Sequence, residues 1–122
     1  MNDEIAANKK FRKELKSGTV SLVLLSILSR SEGPMYGYEI TKNIDSNPVE
    51  TPSMGQGALY PVLRSLEKSG LLSSQVEPSV SGPPRRYYNI TASGRETLEA
   101  WTDTWIKTRD FVDAILKGND DV

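Results

Sequence analysis

The sequence predicts a mainly α chain with a small β-hairpin, and three observations carry that expectation. Apolar residues recur at steps of three and four through most of the chain. One stretch, residues 71–91, changes to short alternating runs on either side of a Gly/Pro/Ser segment. Structure-breaking residues concentrate in two places, DSNPVETPS at 45–53 and PSVSGPP at 78–84. With 122 residues the chain has one domain's worth of sequence, enough to bury a core without metals or disulfides.

Residues 3–16 predict a helix, with Asp3 and Glu4 in its first turn and Lys16 in its last, where each sign suits the helix dipole. Its apolar content is only Ile5, Phe11 and Leu15, so it needs a partner to lie on. Gly18 and Thr19 punctuate, and Thr19 is the N-cap expected for a second helix running to about Arg30. Val20, Leu22, Val23, Leu24, Leu25, Ile27 and Leu28 leave that helix almost no polar face, which predicts the buried centre of the domain. After SEGP, the segment MYGYEITKNID spaces Tyr36, Ile40 and Ile44 four apart as one helix face. In GQGALYPVLRSLEKSGLL, Leu59, Val62, Leu63, Leu66 and the trailing Leu71 form an inward stripe, and Gly70 stands where a left-handed cap belongs. LLSSQVE and RRYYNIT are strand candidates. Alternation puts Arg86, Tyr88 and Ile90 on one face and Arg85, Tyr87 and Asn89 on the other, with Tyr88 and Ile90 inward. Thr91 or Ser93 caps a last helix to about Lys117. This order is that of a winged helix-turn-helix with an added helix at each end for dimerisation. It divides into residues 1–92, the winged unit with its N-terminal helix, and 93–122, the C-terminal dimerisation helix, together one compact unit.

Composition excludes much. With no cysteine and no histidine, thiol chemistry, disulfides, His-containing zinc sites and Ser-His or Cys-His nucleophile pairs are all removed. Carboxylates such as Glu39, Asp45 and Glu67 read as solvated helix charges, with no pair spaced for acid/base work, so neither an enzyme nor a cofactor is expected. The longest apolar run, VSLVLLSIL, falls well short of the roughly 18 residues that span a bilayer, and no secretory signal is visible. No membrane partner is expected, and the cytoplasm is the expected location. Net charge is −1, distributed as +2 over residues 1–17, 0 over 18–92 and −3 over 93–122. Contact with a polyanion must therefore come from a small local patch.

Three constellations could carry function, and the first two are patches of this kind. Pro61 lies beyond the first turn of its helix, where a proline loses a backbone hydrogen bond and crowds the Gly57 carbonyl, at about 3 kcal/mol unless the helix entry is loose. Glycines at 55 and 57 make it so, and strip that entry of bulk so that backbone amides can approach a phosphate. Gln56, Tyr60 and Arg64 share one face of this helix, off the apolar stripe; the same pattern also fits an amphipathic helix with a plainly solvated back. In GPPRRYY, Arg85 and Arg86 stand where a wing loop becomes a strand, placed either to lie across phosphates or to guard a sheet edge. In the last helix, Leu98, Trp101, Trp105, Thr108, Val112 and Ile115 form a heptad seam, widened by Ile106, Phe111 and Leu116. That seam predicts a dimer contact with the partner's N-terminal helix, and its two tryptophans could also wall an aromatic-ligand pocket between protomers.

YGYEI at 36–40, GALYPVLRSLEKSGLL at 57–72, GPPRRYYNITASGRE at 82–96 and the tryptophan-bearing last helix together resemble the PadR family of bacterial transcriptional regulators, over roughly residues 18–117. The single C-terminal helix is similar to the smaller subfamily. The resemblance implies a homodimeric winged-helix repressor on an inverted repeat of double-stranded DNA. It places the recognition-helix tyrosine at Tyr60 and the basic wing residues at Arg85 and Arg86. It also implies, for some members, an aromatic effector stacked on a tryptophan at the dimer interface, matched by Trp105 with Trp101 beside it. On this reading Gln56 and Tyr60 contact bases or phosphates, Gly57 lets the backbone approach, and Arg64 and Lys68 contact the DNA backbone. Tyr38 and Lys42 of the preceding helix are further phosphate candidates. Leu98, Trp101, Trp105 and Val112 form the interface between chains. Two rival functions are a winged-helix protein-interaction module without DNA binding and a small-molecule sensor in which DNA is incidental.

Overall fold

The computed structural model describes residues 2–47 and 56–118, apart from the side chains of residues 2–4 and of Gln56. The elements are α1 (Asn2–Arg30), β1 (Met35–Tyr36), α2 (Gly37–Asp45), α3 (Gln56–Lys68), β2 (Leu72–Ser79), β3 (Gly82–Ile90) and α4 (Ala92–Lys117).

The first difference from the sequence expectation is that α1 is one helix and not two. Gly18 keeps a negative φ, and the Thr19 hydroxyl does not cap a new helix. It donates backwards to the Leu15 and Lys16 carbonyls at 3.0 and 3.3 Å, a bond a threonine can make inside a continuous helix. The second half of α1 supplies the centre of the core through Val20, Leu24, Leu25 and Leu28, all buried. Val23, expected inside, is exposed at 37 % because the helix turns that side towards an open groove.

α2 and α3 close over this helix. Ile40 and Ile44 face inward from α2, and Leu59, Leu63 and Leu66 from α3, with Val62 half-buried beside them. Tyr36, grouped by its spacing with the α2 face, precedes the helix as its N-cap, where its amide donates to the Glu39 carboxylate at 3.2 Å. α3 ends at Gly70 with φ +80, the left-handed conformation in which glycine escapes the Cβ penalty, and Leu71 N returns to the Leu66 carbonyl at 3.0 Å.

The sheet has three antiparallel strands in the order β1-β3-β2. β1 was not foreseen: two residues give no periodicity, yet Met35 pairs with Tyr88 and Tyr36 with Tyr87. The wing also departs from expectation. Most of residues 78–84 is strand, leaving a turn at Val80 and Ser81, because β2 and β3 stay paired out to Ser79 and Gly82. The register shifts between Glu77 and Ser79, where Pro78 has no amide to give to the ladder. Tyr88 and Ile90 are buried, as the alternation predicts.

α4 follows β3 and starts against the end of α3. Thr91 caps it, accepting from Gly94 N at 2.9 Å while its hydroxyl donates to the Gly70 carbonyl at 2.7 Å. A cap of this kind contributes on the order of 1 kcal/mol. A Cβ at Gly94 would collide with the Leu71 carbonyl oxygen, so the two backbones touch there. Arg95 adds a bond to the Ser29 carbonyl at 3.3 Å, tying α4 to the end of α1. Beyond this junction α4 crosses α1, and the outer parts of both helices continue with no apolar cover among the described residues: Ile5, Phe11, Ile115 and Leu116 are all at least 60 % exposed. No helix among the described residues is long and apolar enough to cross a membrane.

Candidate nucleic-acid interface

α3 has the two-sided character that its sequence predicts. Leu59, Leu63 and Leu66 fix its inner side, which leaves Tyr60, 36 % exposed, and Arg64, exposed, on the outer side. The helix runs through Pro61, also exposed, so the amide it lacks is missing from the outward side of the first turns, opposite the exposed Gly57. Lys68 is exposed in the last turn. The Gln56 side chain lies outside the described residues. Across from α3, the exposed Tyr38 and Lys42 lie on α2. The two helices meet where the Tyr60 ring crosses the start of α2 at Gly37.

The wing arginines, adjacent in sequence, diverge in space because successive residues of β3 point to opposite sides of the sheet. Arg86 turns towards α3: its Nη1 donates to the Ser74 hydroxyl at 2.9 Å, and that hydroxyl donates to Glu67 Oε2 at 2.6 Å. The chain Arg86, Ser74, Glu67 binds the β2–β3 hairpin to α3. Arg85 turns to the other side and lies over the Tyr36 ring, 4.5 Å from its centroid. Tyr36 in turn contacts Tyr87 at 5.4 Å and stacks with Tyr38 at 6.2 Å, so Arg85 belongs to an aromatic group spanning β1, β3 and α2. Both guanidinium-bearing residues remain exposed.

The sequence does not single out Ser74, groups Tyr36 and Tyr87 with other faces without assigning them to this site, and presents Glu67 as a solvated helix charge, whereas Glu67 is half-buried and accepts from Ser74. The alternation that placed Arg86 beside Tyr88, and Arg85 beside Tyr87, was the signal that could have found them. Tyr88 lies beneath this site, and burial pushes its phenol above its ordinary value of 10.0, with Arg86 pulling the other way. It therefore stays neutral beneath Arg86 at ordinary pH. Among the described residues no cluster of three or more His, Cys, Asp or Glu could hold a metal ion.

The C-terminal constellation separates into two parts. Leu98 and Trp101 pack on the chain's own core, whereas Trp105 and Val112 are 38 % and 44 % exposed. Both tryptophans line a cavity of 410 Å³ between α1 and α4, floored by Leu15, Gly18 and Leu22. A wider groove of 840 Å³ follows the other side of α1, with Arg12, Lys16 and Arg30 at its polar margin and Leu22, Val23 and Ile27 along its floor.

Residues 24–100 match the family described as transcriptional regulator PadR-like. Solved structures agree over 82–96 % of the chain. A PadR family transcriptional regulator from Eggerthella lenta DSM 2243 is 31 % identical, covers 96 % of each chain and superposes with a TM-score of 0.78. A transcriptional regulator from Clostridium thermocellum is 31 % identical over 82 % of this chain and 92 % of its own, with a TM-score of 0.71. A PadR-like transcriptional regulator from Bacillus cereus is 28 % identical over 86 % of this chain and 98 % of its own, with a TM-score of 0.68.

Proposed function

Because the chain belongs to the PadR-like family of transcriptional regulators, whose work is DNA-binding regulation, we propose that it acts as a homodimeric repressor on an inverted-repeat operator. One observation carries the reading: α3 buries one side completely and offers Tyr60 and Arg64 on the other. In this arrangement α3 of each protomer enters a major groove, with half-sites about one helical turn, roughly 34–36 Å, or a multiple of it apart. Gln56 and Tyr60 meet bases or phosphates, while Gly57 allows close approach. Arg64 and Lys68 hold the backbone, joined by Tyr38 and Lys42 from α2. Arg85 and Arg86 hold the flanking groove, one supported by tyrosines and the other by Ser74.

Residues 1–92 serve as the DNA-reading unit and 93–122 as the dimerisation helix. The exposed apolar residues of the outer parts of α1 and α4 are the contact between protomers, supported by the +2 and −3 charge of the two segments, which would meet in a pair of chains. The cavity beside Trp101 and Trp105 takes a small aromatic effector that releases the DNA. Selection of bound duplexes from a random pool tests this: the expected product is a two-fold symmetric site. Against that site, replacing Arg85 and Arg86 with alanine weakens binding at every sequence and lowers the salt slope by about 2. An unchanged slope removes the wing from the interface, and no salt-dependent binding at all leaves a protein-interaction module.

A further inference from the structure

We propose that Gly37 is a positioning residue for DNA binding, its missing side chain forming the bed on which the Tyr60 ring lies, so that this tyrosine meets DNA with its orientation already set. The inference rests on the assignment of α3 as the helix that reads DNA.

Gly37 is buried at the first position of α2, and its φ is not in the left-handed range, so the backbone there places no demand for glycine. In a helix glycine is disfavoured against alanine by roughly 0.5–1 kcal/mol. The reason for it must lie in what surrounds it. A Cβ built at Gly37 would stand 2.6 Å from Tyr60 Oη, 2.9 Å from Cζ and 3.2 Å from Cε1, and those three atoms of one side chain are its nearest neighbours. Gly18 and Gly57, by contrast, have nothing within 4 Å of a built Cβ.

The contact is with the far end of the tyrosine and not with the α3 backbone. The smallest response to a methyl group at position 37 is therefore a swing of the Tyr60 ring, while Ile40, Ile44, Leu59 and Leu63 keep α2 and α3 in place. Such a substitution separates two quantities that usually move together: the fold is kept and the presented side chain is lost. A ring already braced on one face gives up less rotamer freedom when the other face is engaged, which is where the gain in affinity arises.

The test uses wild type, Gly37→Ala, Tyr60→Ala and the double variant, each titrated with the duplex selected from a random pool and with a mixed-sequence duplex, alongside thermal unfolding. G37A is expected to unfold within a few degrees of wild type, to bind the selected duplex about tenfold more weakly and to bind the mixed duplex within about twofold of wild type. The double variant is expected to bind no worse than Y60A, because both changes act through the same ring. Wild-type affinity in G37A, or losses that multiply in the double variant, overturns the proposal while leaving the reading of α3 intact. If Y60A itself binds like wild type, the reading of α3 fails at Tyr60 and the proposal falls with it. NMR of the wild-type protein decides independently of whether G37A folds: cross-relaxation between the Gly37 Hα atoms and the Tyr60 ring is expected, and its absence overturns the proposal.

Discussion

α3 and the outer half of α4 carry apolar residues at similar helical spacing, yet they end in opposite environments. Leu59, Leu63 and Leu66 of α3 are 1 %, 0 % and 5 % exposed, whereas Phe111, Ile115 and Leu116 of α4 are 65 %, 64 % and 78 % exposed. The outer half of α1 resembles α4 in this respect, with Phe11 and Leu15 more than half exposed. A periodic pattern specifies which side of a helix is apolar; whether that side is satisfied within the chain depends on what the rest of the fold brings to it. α1 covers α3. Among the described residues nothing of this chain covers the far ends of α1 and α4, the surface assigned above to the proposed contact between protomers.

The sharpest way to break the contrast is at its buried pole. Leu63→Ala removes a fully buried side chain from the point where α3 meets the core, and is expected to lower stability by about 2–5 kcal/mol in urea unfolding. A loss under about 1 kcal/mol would mean that α3 is not held by its inner stripe, and the distinction between the two regions would disappear. At the exposed pole, Phe111→Glu combined with Ile115→Glu is expected to leave the far-ultraviolet circular dichroism of the winged unit intact and to give a monomer in sedimentation. Affinity for a symmetric site should then fall about a hundredfold, because the second half-site no longer benefits from the effective concentration that linkage provides. A variant that stays dimeric, or one that is monomeric with undiminished affinity, places the association surface elsewhere.

The same contrast explains what could be read in advance. The inner stripe of α3, the cap at Gly70, the inward pair Tyr88 and Ile90 and the Thr91 cap all follow from local rules of spacing and turn chemistry, and the structure has each of them. β1 was illegible because its two residues become a strand only through pairing with β3, a contact about fifty residues away in the sequence. The division of labour between Arg85 and Arg86 was half legible. Alternation separates them, but Ser74 and Glu67 had to be brought from β2 and α3 before Arg86 had a partner. Gly37 was legible only as one letter of a motif, since its constraint is a tyrosine more than twenty residues later. Gly18 failed in the opposite direction. A glycine followed by a threonine resembles a helix boundary, and the apolar residues after it, held by the core, carried the helix straight through.

Gly18 also yields the smallest effect and the finest test of where one region gives way to the other. It sits in mid-helix with a negative φ and open space around a built Cβ, so within a single chain alanine is the better residue. Gly18→Ala is expected to raise stability by roughly 0.5–1 kcal/mol, chiefly by restricting the unfolded chain. Gly18 also floors the cavity beside Trp101 and Trp105, and the added methyl shortens the space available there. If planar aromatic compounds quench the tryptophans of the wild-type protein, the variant should need a higher concentration for the same quenching while melting at a higher temperature. These signs are opposed, and no general loss of structure produces both. A fall in melting temperature instead would show that something outside the single chain needs the glycine, and since the exposed Leu15 and Trp105 line the same cavity as Gly18, it would place a second protomer against α1 at that point.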